Sequence, residues 1–296
     1  MTHTAKRAVR IGAVIAVLGW SAVAIGAIDP TVDLTDRTYG SGEVVFELAQ
    51  TTLAAGNDPG VGVTIASGAE VTFVAGTSVT LRGGFRVQQG ASFRAAIGDM
   101  DGQVISAATT DWTESRYFAG PVEVATGAVL DISGSPEAQT RVVLLPGGSF
   151  TVHGELVASD CVFTSSVRNP EASDAWSGVV ITGSANLVGC TVEYARQGIR
   201  VDAPARVHTY NTTFTTNLIG LHVLGFDAST KPGIWHSAFT DNLWYAIKED
   251  AAGDATVRHS RFHGNGNVYY ELEDTLLSID TLNNQSGNYG NTDKEQ

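Results

Sequence analysis

The chain has 296 residues, of which 43% are hydrophobic and only 17% charged, with 33 glycines and 8 prolines. That length can bury one elongated core or two compact ones. Low charge with abundant Gly, Val, Thr and Phe points to an all-β protein, because β-branched and aromatic side chains suit a pleated, half-buried surface. A net charge of −13 repels phosphate backbones and sets nucleic acid aside as a partner.

The N-terminus carries an export signal. Lys6, Arg7 and Arg10 precede the apolar run Ile11 to Ile28, and Ala22-Val23-Ala24 offers a small-x-small cleavage site. The run is also about the minimum length for a membrane span. Residues 1–27 are therefore a signal peptide or a single-span anchor, and the membrane is engaged only through residues 11–28 if they stay uncleaved. In both cases everything after Asp29 is extracytoplasmic: periplasmic, cell-surface or secreted. Those three basic residues are the only charges in the first 27, so without them the net charge falls from −13 to −16.

Residues 28–60 are expected to cap an open coil end, which would otherwise pair with other strands. From residue 61 an eight-residue beat begins. Val63-Thr64-Ile65, Val71-Thr72-Phe73 and Val79-Thr80-Leu81 recur at identical offsets, with Gly68, Gly76 and Gly83-Gly84 in the turns; Phe85-Arg86 and Phe93-Arg94 continue it. Three such sides make a circuit of about 24 residues, as a parallel β-helix requires. Residues 99–120 and 166–175 break the beat and are expected to be lateral loops. Within the first of these, Asp99-Met100-Asp101-Gly102 matches part of a Ca²⁺ loop, but no liganding Glu follows at the required spacing.

A longer period follows, of 20 to 25 residues. Val192, Phe214, Phe239, Phe262 and Leu282 mark it. Three residues after the aromatic come Asn217, Asn242 and Asn265; two before it sit small or polar residues such as Cys190, Thr212, Ser237 and Ser260. An inward Asn at one turn of successive coils can bond its neighbours' amides and the buried turn backbone. The expectation is an interior Phe214/Phe239/Phe262 column beside an Asn217/Asn242/Asn265 column. Cys161 and Cys190 precede Phe163 and Val192 by two, so both face inward on consecutive coils, as a disulfide or as a buried thiol stack. The coil proper is read as residues 61–285, with a polar tail over 286–296.

Gly154-Glu155-Leu156, Phe163-Thr164-Ser165, Trp176-Ser177-Gly178-Val179-Val180-Ile181 and Gly198-Ile199 resemble the right-handed parallel β-helix repeat proteins exported by bacteria, of the pectate-lyase-like superfold. Val71 to Ile97 is similar to a glycine-rich β module that accompanies them, and together the resemblance spans about 60–280. It implies an all-β, single-stranded right-handed parallel β-helix. It does not imply one activity, since such proteins include lyases, glycosidases and surface proteins.

The resemblance implies catalytic aspartates before the Gly-Ile strand in glycosidases, where paired carboxylates act as acid and base. Here those positions read Arg196-Gln197, Leu218-Ile219, Trp244-Tyr245 and Val268-Tyr269, with no carboxylate pair. Lyases of this fold use Arg or Lys, often with Ca²⁺. Arg200, His222 and Lys248 form an outward column beside Asp202 and Glu249, either a solvated polar face or a uronate-binding one. His236 and His259 should stack outward one coil apart, as an exposed ladder or a weak metal pair. Trp235, Trp244, Tyr245, Tyr269 and Tyr270 either close the coil end or present a stacking surface for sugars. No cofactor motif appears. The expected function is a non-catalytic scaffold or interaction module, not an enzyme, with a protein partner or cell-surface glycan; the alternative is a carbohydrate-active β-helix, either lyase-like or glycan-binding.

Overall fold

Short strands that alternate inward and outward side chains can bury an interior only if each turn stacks on the next. The computed structural model describes residues 14–16, 29–56, 62–146, 148–172, 175–225, 232–250, 255–271 and 278–279, and for 14–16, 267–271 and 278–279 the backbone alone. No α-helix occurs among them. Every interstrand pairing between coils is parallel, which makes the chain a parallel β-solenoid. It divides into two units, residues 1–98 and 99–296.

The first unit is three coils with three sides each. Thr31–Leu34, Thr52–Ala55 and Ser78–Leu81 form one side, Thr38–Tyr39, Thr64–Ile65 and Arg86–Val87 the next, and Val44–Ala49, Glu70–Ala75 and Ser92–Ile97 the third. The eight-residue beat is thus the succession of sides. The coil, however, already includes Thr31–Ala55, within the residues expected to form a cap; their sides are short and flanked by polar turns, so they lack the later repeats' regularity. Backbone of Val14–Ala16 pairs antiparallel with Val45–Glu47. Tyr39, Phe73, Phe85 and Phe93 fill the interior, with Phe73 and Phe93 edge-to-face at 5.1 Å. Glu47 is buried among them. Its carboxylate accepts the Tyr39 hydroxyl at 2.8 Å and meets Arg37 at 3.2 Å. Burial nevertheless pushes the Glu47 carboxyl above the usual carboxylate range.

The second unit has two eight-stranded sides and one seven-stranded side. The first face runs from Gln103–Ile105 through Gln197–Val201, Ile219–Val223 and Tyr245–Glu249 to Asn267–Glu271. The second runs from Thr110–Trp112 through Glu155–Ser159 and Arg206–Tyr210 to Ser278–Ile279. The third runs from Arg116–Phe118 through Thr213–Thr215 and Ala238–Thr240 to Arg261–His263. Residues 99–120 are therefore the first coil and not a lateral loop. Its three sides are three residues each, too short to show a period, but Ile105, Trp112 and Phe118 all point into the core. Residues 166–175 do lie between strands, Cys161–Ser165 and Val179–Ile181.

The expected columns are present. Val192, Phe214, Phe239 and Phe262 are in register on the third face. The three phenyl rings stack with centroids 4.7 and 5.2 Å apart and planes within 9°. Beside them, Asn217 donates from Nδ2 to the Val192 carbonyl (2.9 Å) and to Asn242 Oδ1 (3.1 Å). Asn242 repeats the pattern to the Phe214 carbonyl (3.0 Å) and Asn265 Oδ1 (2.8 Å), and Asn265 donates to the Phe239 carbonyl (2.9 Å). Each Oδ1 also accepts the backbone N–H of the residue one coil back, from Ala195 to Asn242.

Both corners flanking the third face turn through left-handed residues. Asp160, Asn211, His236 and His259 (φ 50 to 52°) occupy the entry, and Tyr194, Thr216 and Asp241 (φ 54 to 59°) the exit. The entry corner has its own ladder: Cys161, Thr212, Ser237 and Ser260 each donate to the carbonyl two residues earlier. At the remaining corner, close stacking selects glycine. A Cβ on Gly154 would lie 2.3 Å from the Ala128 carbonyl oxygen, and one on Gly183 2.1 Å from that of Gly154.

Cys161 and Cys190 face inward on consecutive coils as free, buried thiols. The hydrogen bond with Cys190 and burial both push the Cys161 thiol up. Native protein should then react negligibly with a thiol reagent on the minute scale and yield two thiols per chain on denaturation without reductant. Zero thiols would establish a disulfide instead. Replacing Asn242 with Ala should destabilise the fold by about 1–3 kcal/mol in urea titration, because its neighbours' buried groups lose partners. A change below about 0.3 kcal/mol, within the range of ordinary surface substitutions, would mean the column is dispensable.

Candidate functional site

The outward column of the first face brings Arg200, His222 and Lys248 together as the alternation predicts, on three strands in direct register. Their electrostatics differ from a free basic stripe. The strand ends one residue after Arg200 and after Lys248, and the next residue, in the turn, presents a carboxylate back to each. Arg200 is held by Asp202 through two hydrogen bonds of 2.8 and 3.0 Å. Lys248 Nζ lies 3.0 Å from Asp250 Oδ1. The acid near Lys248 is thus Asp250 and not Glu249. Alternation turns Glu249 inward, where it is 1% exposed and its Oε1 accepts the Ala255 N–H at 2.7 Å.

His222 sits between these pairs and is 5% exposed. Its Nε2 is 2.7 Å from Asp250 Oδ2, so Nε2–H donates and the neutral ring leaves Nδ1 as an acceptor. Nδ1 has no hydrogen-bond partner. Burial holds the His222 pKa below the ordinary imidazole value; the bond to Asp250 opposes this, and Lys248 and Arg200 reinforce it. Burial works against the Asp250 carboxylate, but hydrogen bonds from Lys248 and His222 outweigh it and hold its pKa below the usual value. A carboxylate-oriented neutral imidazole is chemically able to accept a proton. Here it is enclosed, and both neighbouring cations already have anionic partners.

The aromatic candidates do not converge on this column. Trp235 lies on the second face, half-buried, its indole covering Gly233 and stacked on His208 at 5.3 Å. Trp244, 50% exposed, and Tyr245 stand at the start of a first-face strand. The side chains of Tyr269 and Tyr270 lie outside the described residues. Trp235 instead neighbours Tyr210, one coil back in the same column. Tyr210 precedes Thr212 by two residues as Trp235 precedes Ser237, and that shared offset is the sequence signal for it.

His236 and His259 stack as expected, with ring centroids 5.0 Å apart and planes 21° from parallel. Face-to-face stacking directs their in-plane lone pairs side by side and not toward one point, which suits an aromatic ladder and not a shared metal. Among the described residues no group of three or more His, Cys, Asp or Glu side chains gathers to hold a metal.

A shallow concavity of about 350 Å³ lies at the corner between first and second faces, over Gly127, Gly154 and Gly183, with His153, Thr182 and Arg206 on its walls. His153 Nδ1 is 2.7 Å from Thr182 Oγ1. None of Arg200, His222 or Lys248 lines it. The only sequence signal for it is the recurrence of glycine at this corner. Comparison with known proteins finds no matching family model, no matching curated protein and no matching solved structure.

Lowering of the His222 pKa has a sign that can be tested. The unfolded chain takes up this proton first as pH falls, so the residue's contribution is complete above about 6.5 and is lost as pH falls below that. Asp250 adds a loss at lower pH, beginning near its unfolded value of 3.8. The urea midpoint should therefore drop from pH 7 to pH 5, and the drop should be smaller in His222→Gln. Parallel pH profiles for the two proteins would show that His222 is not the titrating group.

Proposed function

We propose that this chain is a non-catalytic, extracytoplasmic β-solenoid scaffold or interaction module, right-handed and of the pectate-lyase-like superfold. Residues 1–27 direct export, and residues 11–28 serve as the tether to a larger membrane assembly where they are retained. The single observation that carries the reading is the internal neutralisation of the first-face cations. Arg200 and Lys248, the groups with which a lyase would hold and deprotonate a uronate, are already engaged by Asp202 and Asp250. The one candidate base, His222, is 5% exposed, which leaves little of it to meet a substrate. A protein partner or a cell-surface glycan would be recognised on the lateral faces.

The second reading, a carbohydrate-active β-helix, draws on one feature: the Asp250-oriented His222 with Nδ1 unpartnered, flanked by two cations. A glycan array with product detection separates the two. The scaffold reading expects no unsaturated product absorbance from uronate polymers at any pH between 5 and 9. Product that forms with the native chain and disappears in Lys248→Ala would reverse the order of the readings.

A further inference from the structure

The second face of the larger unit divides into two halves of opposite charge. In its outward strand positions and the residue that follows each strand, the early coils carry Asp111, Asp131, Glu155 and Asp160, with no lysine or arginine. From Ser184 to His259 the same positions carry Arg206, His208, His236, Arg258 and His259, with no carboxylate among the described residues. In a chain with 31 acids and 18 bases, four successive described strands without an outward acid form a segregated patch, since Asp202 and Asp250 of the preceding corner are engaged by Arg200 and Lys248. No ion pair within the described residues engages Arg206, Arg258, Asp111, Asp131 or Glu155. Charges of both signs thus stand uncompensated on one flat sheet. At the waist between them are two exposed apolar groups, Val188 (40%) and Tyr210 (49%).

We propose that this face is a self-complementary docking surface, and that its occupant is a second copy of this chain laid antiparallel across it. A two-fold axis lying in the interface plane, along the strand of Asn186, brings coils equidistant from it face to face, because Asp111, Asp131, Val157, Asn186, His208, Gly233 and Thr256 form one register column. The coil of Arg206–Tyr210 then faces the coil of Glu155–Asp160. The coil of Arg258 faces that of Asp111, and Trp235 comes over the strand of Asp131. Every basic coil meets an acidic one, twice over by symmetry. A free polyanion fits the surface less well, since half of the same face repels it.

The size is consistent with a weak, salt-sensitive dimer. Seven coils at about 4.8 Å and strands about 16 Å wide give on the order of 500 Å² per copy, the lower bound for a specific interface. Charge complementarity of this exposed kind is screened within about 10 Å at 0.1 M salt.

The test is sedimentation velocity of the full chain in non-ionic detergent, which keeps residues 11–28 from driving association. At low salt the native protein should sediment as a dimer of the 31.0 kDa chain and dissociate at 0.5 M salt. Arg206→Glu/Arg258→Glu and Asp131→Lys/Glu155→Lys should each be monomeric at low salt, and mixing the two should restore a 1:1 dimer. These surface changes leave the core intact. A native monomer at every salt concentration would overturn the proposal. So would a dimer indifferent to either charge reversal, or capture of poly-glutamate by a chain that stays monomeric.

Discussion

The structure depends on satisfying backbone groups at the corners of its coils. A solenoid with three flat sides must turn sharply three times per circuit, and stacking buries the turn carbonyls and amides of every interior coil. Each orphaned group would cost about 1–3 kcal/mol. The Asn217/Asn242/Asn265 ladder removes that cost at one corner with a single side-chain type. A carboxamide offers two donors and an acceptor oxygen with two lone pairs, enough to bond a carbonyl and an amide one coil back and the next Asn one coil on. No other short side chain has that inventory, which is why the column is asparagine and why the stacked phenylalanines beside it keep their register.

Where asparagine is missing, the accounting changes. Ala195 occupies the next position of the column and contributes only its backbone N–H to Asn217. One coil earlier, the hydroxyl of Ser166 is buried without a partner. The ladder therefore has a definite end, at the coil after the irregular connection of residues 166–175. At the entry corner the same need is met more cheaply. Cysteine, threonine and serine each bond the carbonyl two residues back, and this explains why two cysteines can sit there as thiols and act as small polar core residues.

The regular part of this fold was legible because the side-chain period of two and the corner spacing are both local properties. Phe214 and Asn217 could be placed from offsets alone. Two segments were not legible for the opposite reason. The sides at Thr38–Tyr39 and Thr110–Trp112 are two and three residues long, so no alternation develops, and only stacking on later coils defines them. The site was legible in its cations and in Asp202, and not in Asp250. Alternation puts Arg200, His222 and Lys248 on one outer column, but Asp250 lies past the strand end, where the chain direction changes and periodicity predicts nothing, so the neighbouring Glu249 stood in its place. Grouping Trp235 with Trp244 failed because nine residues of sequence carry the chain around two corners, across the third face and onto the first. The charge division of the second face was present in the residues, yet becomes visible only when Asp131 and His208 are aligned as one column.

The interior ladders join successive coils through buried hydrogen bonds, while the outward faces add ring contacts such as His208–Trp235 and His236–His259. The claim that those ladders act as a connected network, and not as separate turn-forming residues, is the one on which the account rests. A double-mutant cycle of Asn217→Ala and Asn242→Ala by equilibrium urea unfolding tests it most directly. The account predicts that the second substitution costs less in the presence of the first, with a coupling of roughly 1 kcal/mol. Additivity within about 0.3 kcal/mol would contradict it.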